Sequence, residues 1–131
     1  MSLASSFRIG ASALTAERLR MDVISSNIAN IDTTSTPQGG AYRREVVYFA
    51  QAPNERGVVV TGIGTDPSPL PLVYDPGSPQ ANAQGFVQMP NVNITSEMVD
   101  MLGAARAYEA NVTAFDDGKR MAVDALNLGK A

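Results

Sequence analysis

The sequence predicts a mainly α-helical chain whose long N- and C-terminal helices pair as a coiled-coil-like hairpin. Between them it predicts a small β-hairpin and an extended, proline-rich middle. Three observations carry this. From Ile94 onward, apolar residues recur at alternating steps of four and three: Ile94, Met98, Met101, Ala105, Tyr108, Val112, Phe115, Lys119, Ala122 and Leu126, with Lys119 the one breach. The N-terminal end repeats the step at Leu3, Phe7, Gly10, Leu14, Glu17, Met21, Ile24, Ile28 and Ile31, broken at Gly10 and Glu17. This is the repeat of a helix that buries one seam against another helix. The residues between the two repeats are turn formers and β formers instead.

The first helix is expected over residues 3–31, with Ser2 as N-cap. Ile9, Ala13, Ala16, Leu19 and Val23 give it apolar surface on a second face. It runs out in Ser25-Ser26-Asn27-Ile28-Ala29-Asn30-Ile31-Asp32-Thr33-Thr34. Asn27 and Asn30 have two readings there. Their side chains compete for nearby backbone groups and so end helices. Alternatively, their amides hydrogen-bond across a helix contact and set its register.

Residues 35–41 are a loop by composition. Tyr42 to Phe49 and Val58 to Ile63 are β-favouring runs around a turn that holds Pro53, Asn54 and Gly57, which predicts a loose antiparallel hairpin. From Gly64 to Asn93 the prolines exclude helix and disfavour regular sheet. An extended arm is expected, with turns at Asp66-Pro67, Asp75-Pro76 and Pro90-Asn91. A lone hairpin and an arm do not bury enough surface to stand by themselves. The middle must lean on the helices or on other molecules. In domain terms, 1–32 and 91–131 form a discontinuous helical unit, and 33–90 form the hairpin and arm.

The last helix follows Pro90, with Asn93 as N-cap and Glu97 and Asp100 near the positive end of its dipole. From Ile94 to Leu128 it would be about 50 Å long, so it needs a partner of similar length. A second stripe of small residues, Gly103, Ala107, Ala110 and Ala114, continues into Met121, Ala125 and Leu128. A hairpin within the chain uses one face of each helix. The remaining faces imply other subunits.

Composition narrows the function. The 131 residues make a single-domain length and hold no cysteine and no histidine. Disulfides, thiol chemistry, the common zinc sites and histidine acid–base catalysis are excluded. With a net charge of −3 and no basic stripe, nothing points to nucleic acid. No apolar run is long enough for direct membrane insertion. No signal-peptide h-region stands at the N-terminus, so a cytoplasmic location, or an exit without cleavage, is expected. Asp116 and Asp117 diverge by about 100° on a helix, and they and the Glu97/Asp100 pair read as solvated helix surface. Arg43-Arg44-Glu45 has two readings, a basic contact patch or, more commonly for such a triplet, a solvated strand edge. Gly39-Gly40 and Gly62-Ile63-Gly64 lack the lysine or the strand–helix context of a phosphate loop. No catalytic residue, cofactor site or metal site is found, and an enzyme is not expected.

Ser25-Ser26-Asn27-Ile28-Ala29-Asn30 followed by Thr33, then Gly40 and Tyr42-Arg43, resembles the N-terminal signature of the bacterial flagellar rod and hook axial proteins. The family pattern places a Gly-aromatic pair sooner after the threonine; here it is displaced to Gly40 and Tyr42. Pro90-Asn91-Val92-Asn93, Glu97-Met98-Val99 and Arg106-Ala107-Tyr108-Glu109-Ala110-Asn111-Val112 are similar to the same family. So are Asp66-Pro67-Ser68-Pro69 and Val73-Tyr74-Asp75-Pro76-Gly77, and the likeness covers nearly the whole chain.

The resemblance implies a structural subunit of the basal-body rod, in the proximal part of the shaft that carries motor torque through the periplasm. It implies export, unfolded and uncleaved, by the flagellar type III apparatus. The implied partners are copies of the chain, other rod proteins and the hook–basal-body adaptor at the inner-membrane ring. The expected assembly residues are Leu3, Phe7, Leu14, Met21, Ile24, Asn27, Ile28, Asn30 and Ile31 on the first helix. On the second they are Met98, Met101, Ala105, Ala107, Tyr108, Ala110, Asn111, Val112, Ala114, Phe115, Ala122 and Leu126. Two other classes stay open: a stand-alone helical adaptor, and an exported coiled-coil translocator subunit.

Overall fold

The computed structural model describes residues 2–53 and 56–130. Helix α1 spans Leu3–Ala29 and helix α2 spans Ile94–Leu128, so about half the chain is helical. Both helices start where their caps predict. The Ser2 side chain accepts the Ser5 N–H at 3.2 Å, and the Asn93 side chain accepts the Ser96 N–H at 3.0 Å. Each satisfies an N–H that the first turn leaves without a helical partner. α1 ends two residues short of the expected Ile31. Asn30 is its C-cap, and its Nδ2 donates to the Ser26 carbonyl at 2.8 Å.

The two helices pack antiparallel. Phe7 meets Phe115 edge to face with ring centroids 5.0 Å apart, and at the other end Asn27 meets Glu97. By that register Leu3 falls near residue 120, and the last turns of α2 project past α1.

On α1 the contact runs along the expected residues. Phe7, Gly10, Leu14, Glu17, Met21, Ile24 and Ile28 are all buried or half-buried, although Leu3 is exposed. On α2 it is rotated. Stepping four and three from Glu97 gives Met101, Ala104, Tyr108, Asn111, Phe115, Gly118 and Ala122, all buried or half-buried. Of the expected alternates, Ile94, Met98, Lys119 and Leu126 face solvent, and Ala105 and Val112 flank the contact. Glu97, drawn inward by Asn27 and Arg44, sets the rotation. Further along, Gly10 and Gly118 make room for the two rings: a Cβ on Gly10 would lie 3.4 Å from the Phe115 ring, and one on Gly118 would lie 3.6 Å from Phe7.

Strands β1 (Glu45–Gln51) and β2 (Val58–Thr65) pair antiparallel, with a bulge between Tyr48 and Phe49. β1 starts three residues later than the β-favouring run. Asn54, read as part of the turn, lies outside the described residues. This hairpin packs on the second flank of α1, where the Val58 N–H donates to Ser12 Oγ at 3.1 Å. Ala16 and Val23 are buried there. The second face of α1 is therefore covered by the chain's own hairpin, where the sequence had implied another subunit.

The arm is also more ordered than its prolines suggest. Strands β3 (Leu72–Tyr74) and β4 (Phe86–Gln88) pair antiparallel. The strands fit because they are only three residues long and the prolines lie outside them: Pro67, Pro69 and Pro71 before β3, Pro76 and Pro79 in the connection, Pro90 after β4. Asn82 Oδ1 accepts the N–H groups of Gln84 and Phe86, and Gly85 at φ +85° turns the chain into β4. Tyr74 then stacks edge to face on Phe86, centroids 5.3 Å apart.

The buried apolar set is small: Ala16, Val23, Ile24, Ala41, Val87 and Ala104. Two polar side chains, Asn27 and Glu97, are the largest groups wholly removed from solvent.

Candidate functional site

Those two side chains anchor a polar clasp that joins α1, the start of β1 and α2. Asn27 sits in the last turns of α1, 1% exposed. Its Nδ2 donates to the Glu45 carbonyl at 2.9 Å and to Glu97 Oε2 at 3.2 Å. Its Oδ1 accepts the Tyr42 hydroxyl at 2.8 Å and the Glu45 N–H at 2.9 Å. An amide offers two donor hydrogens and two acceptor lone pairs. All four are used within the chain.

Glu97, fully buried in the first turn of α2, is held on its other oxygen by the Arg44 guanidinium. Arg44 also reaches Asp100 at 3.4 Å and Asp66 at 3.6 Å, so one cation faces three carboxylates. The hydrogen bond to Glu97 raises the Arg44 pKa above its ordinary value, against the opposing effect of burial. Asn91 completes the frame. Its Oδ1 accepts the Arg44 N–H at 2.7 Å, and its Nδ2 donates to the carbonyls of Asp66 and Ser68. Asp66 Oδ1 accepts both the hydroxyl and the N–H of Ser68, which lowers its pKa, with Arg44 adding to the effect. Burial raises the pKa of Tyr42.

The displaced aromatic of the sequence signature has a structural explanation. The Tyr42 N–H donates to the Thr33 carbonyl at 2.9 Å. Residues 34–41 loop out, and Tyr42 returns to the end of α1 where Asn27 awaits its hydroxyl.

Two readings of the sequence are corrected here. Arg44 is not a solvated edge residue, and Glu97 is not on a solvated helix face; the two form the centre of the clasp. Asn91, Asp66 and Tyr42 stood in quoted motifs, but no local spacing shows that they converge. A cavity of about 290 Å³ lies against the clasp, with Asn27, Arg44, Glu45 and Asp100 in its wall, and Arg44 is committed to the carboxylates of Glu97, Asp100 and Asp66. The chemistry of the clasp is fastening.

Other sequence-selected residues distribute as follows. Ile24 is buried; Phe7, Leu14, Met21, Ile28, Asn30, Ile31, Met101, Ala105, Ala107, Tyr108, Asn111, Val112, Phe115 and Ala122 are half-buried. Leu3, Met98, Ala110, Ala114 and Leu126 are exposed. Asn111 Nδ2 donates to its own helix, at the Ala107 carbonyl. Asn30 Oδ1 accepts the Thr33 hydroxyl.

Comparison with known proteins accounts for both terminal helices and the middle. The family model for flagella basal body rod protein matches residues 7–35. The one for flagellar basal body rod FlgEFG protein C-terminal matches residues 83–128. The chain is 44% identical to the flagellar basal-body rod protein FlgC of Borreliella burgdorferi, over 98% of both chains. It is 46% identical to that of Bacillus subtilis, over 95% of this chain and 97% of the other. The chain belongs to the FlgC family of flagellar basal-body rod proteins. The Escherichia coli O157:H7 member is 41% identical over 99% of this chain and all of its own. A FlgC-family chain is a structural subunit of the rod, not an enzyme. Among the described residues no helix is long and apolar enough to cross a membrane.

Proposed function

We propose that this rod subunit enters the proximal part of the shaft through the outward faces of its terminal helices. The observation that carries this is the unpartnered outer surface of α2. Met98, Val99 and Leu102 are about three-fifths exposed, Met121 and Leu128 are exposed by 71% and 78%, and Leu126, on the seam side where α2 projects past α1, by 66%. Between them, Ala110 and Ala114 leave a smooth stripe on which a second helix can lie close. An exposed apolar surface of this extent on a long helix marks a contact with other protein. Met98, Ala110 and Ala114 belong to that contact, and Leu3 and Leu126, exposed at the far end of the helical pair, extend it. Its occupants are copies of the chain and other rod components, with the hook–basal-body adaptor below. The subunit reaches the periplasmic span of the rod through the flagellar type III export apparatus.

The test is a photo-crosslinking residue at Leu102 or Leu126 in a motile host whose own copy is deleted. Illuminated basal bodies should yield adducts with another rod subunit from both positions. Basal bodies that contain the variants and give no adduct from either would overturn the assignment.

A further inference from the structure

We propose that the projecting end of α2 in one subunit docks in the groove between α1 and β2 of a second copy of this chain. The inference rests on the assembly reading above and names which two surfaces meet. The groove lies where the hairpin covers α1 incompletely. Ala16 is buried there, but Ala11 and Thr15 beside it are exposed, as are Val58 and Val59 on the facing strand. The two elements touch where the Val58 N–H reaches Ser12 Oγ. Along them runs a trough of about 560 Å³, with Ala11, Ala16 and Leu19 in one wall and Val58 to Val60 in the other. Among the described residues that line it, Arg8 alone is charged.

The end of α2 has the matching form. By the Phe7–Phe115 register, α2 passes the start of α1 near residue 120, so residues 121–128 have no α1 beside them. Met121, Ala125 and Leu128 follow at steps of four and three, which places them on one helix face, and all three are exposed. Asp124 stands beside that line and is the one charged residue from 121 to 128.

Length and charge both fit. Residues 121–128 make about 12 Å of helix, and the groove from Arg8 to Leu19 follows about 17 Å of α1. An apolar helix face with one carboxylate meets an apolar groove with one guanidinium. Among the described residues neither Arg8 nor Asp124 forms an ion pair within the chain. A helix set into an apolar groove by such a face is a recurring mode of recognition. The chain does not fill its own groove: in the register of the pair, Ala125 lies about 27 Å along the axis from the level of Thr15. Because the two surfaces differ, the contact is head-to-tail, and a copy that offers its α2 end keeps its own groove for another.

The chain holds no cysteine, so introduced thiols report the contact. Two differently tagged copies, one Thr15→Cys and one Ala125→Cys, are produced together in a host whose own copy is deleted, and the purified basal bodies are oxidised. A disulfide needs Cα atoms within about 7 Å, so a linked species that carries both tags is expected. Ala11→Cys with Leu128→Cys is the second pair. Completed rods that hold both copies with neither pair linked would overturn the proposal, as would linkage of the α2 thiol to a different rod protein. Charge exchange gives an independent readout. Arg8→Asp or Asp124→Arg alone should lower the yield of complete basal bodies at least about tenfold, because like charges in contact repel, and the two changes in one chain should restore it. Single variants that assemble as the native chain does, or a double variant no better than either, would also overturn it. Photo-adducts from Leu102 and Leu126 without these disulfides would sink this docking alone and leave the assembly assignment standing.

Discussion

Asn27→Asp exchanges one amide nitrogen for a carboxylate oxygen and should cost this protein much of its stability. The native Nδ2 donates to the Glu45 carbonyl and to Glu97 Oε2. A carboxylate at position 27 donates neither bond. It also places a second negative oxygen at the 3.2 Å now spanned by the amide–carboxylate bond. At an effective dielectric of 20, two unit charges that close repel by about 5 kcal/mol. The chain can avoid this by binding a proton. At pH 7 that costs an aspartate of ordinary pKa 3.9 about 4 kcal/mol. The proton restores one of the two bonds, to Glu97. The Glu45 carbonyl still lacks its donor, at about 1–3 kcal/mol. The total is about 5 kcal/mol or more, against the roughly 5–15 kcal/mol that holds a typical domain. At about 3 °C per kcal/mol for this length, the melting temperature should fall by more than about 10 °C.

Thermal melts followed by circular dichroism at several pH values are the assay. The introduced carboxyl has its folded pKa raised above its unfolded value. Its protonated form is the one the fold accepts, so the penalty is present at neutral pH and fades as pH falls toward about 4. The gap between Asn27→Asp and the native chain should narrow over that range. A variant that melts within about 0.5 kcal/mol of the native chain at pH 7 would refute the clasp, since that is the size of an ordinary surface substitution. A gap that stays constant with pH would refute the charge argument.

Two alanines on one helix separate folding from assembly. Ala104, with no exposed surface, should lose about 1–3 kcal/mol on change to Leu through overpacking. Exposed Ala110 should change stability by no more than about 0.5 kcal/mol when made Leu, yet fail to complement motility in a deletion host. Asp66 gives a pH signature: its pKa lies below the usual 3.8 because of the Ser68 bonds and Arg44, so its contribution is present above about pH 4 and is lost as pH falls through the lowered value. In acid titrations the stability gap between native and Asp66→Asn should be open at pH 7 and close in strong acid.

Features that depend on neighbours along the chain were legible before the fold was known. Ser2 and Asn93 cap their helices because a side-chain oxygen three residues before an unpaired N–H is a local arrangement. The step of four and three showed that α1 and α2 pair, since helical periodicity is carried within each element. The chain motifs around Asn27, Tyr42 and Glu97 pointed to the family. Tertiary structure decided what depends on meeting through space. The contact line on α2 passes through Glu97 and Ala104 and leaves Met98 exposed, because Asn27 and Arg44, met only through space, hold Glu97 inward. Strands β3 and β4 formed between prolines, because pairing across a turn satisfies backbone groups that no single strand can. The clasp was invisible in any window, as Glu97 stands 70 residues from Asn27 and 53 from Arg44. A charged side chain in a sequence reads as solvated because burial of a lone charge is prohibitive. Only the fold supplies the partners that make burial of Glu97 and Arg44 possible, and so only the fold reveals that they hold the helices together.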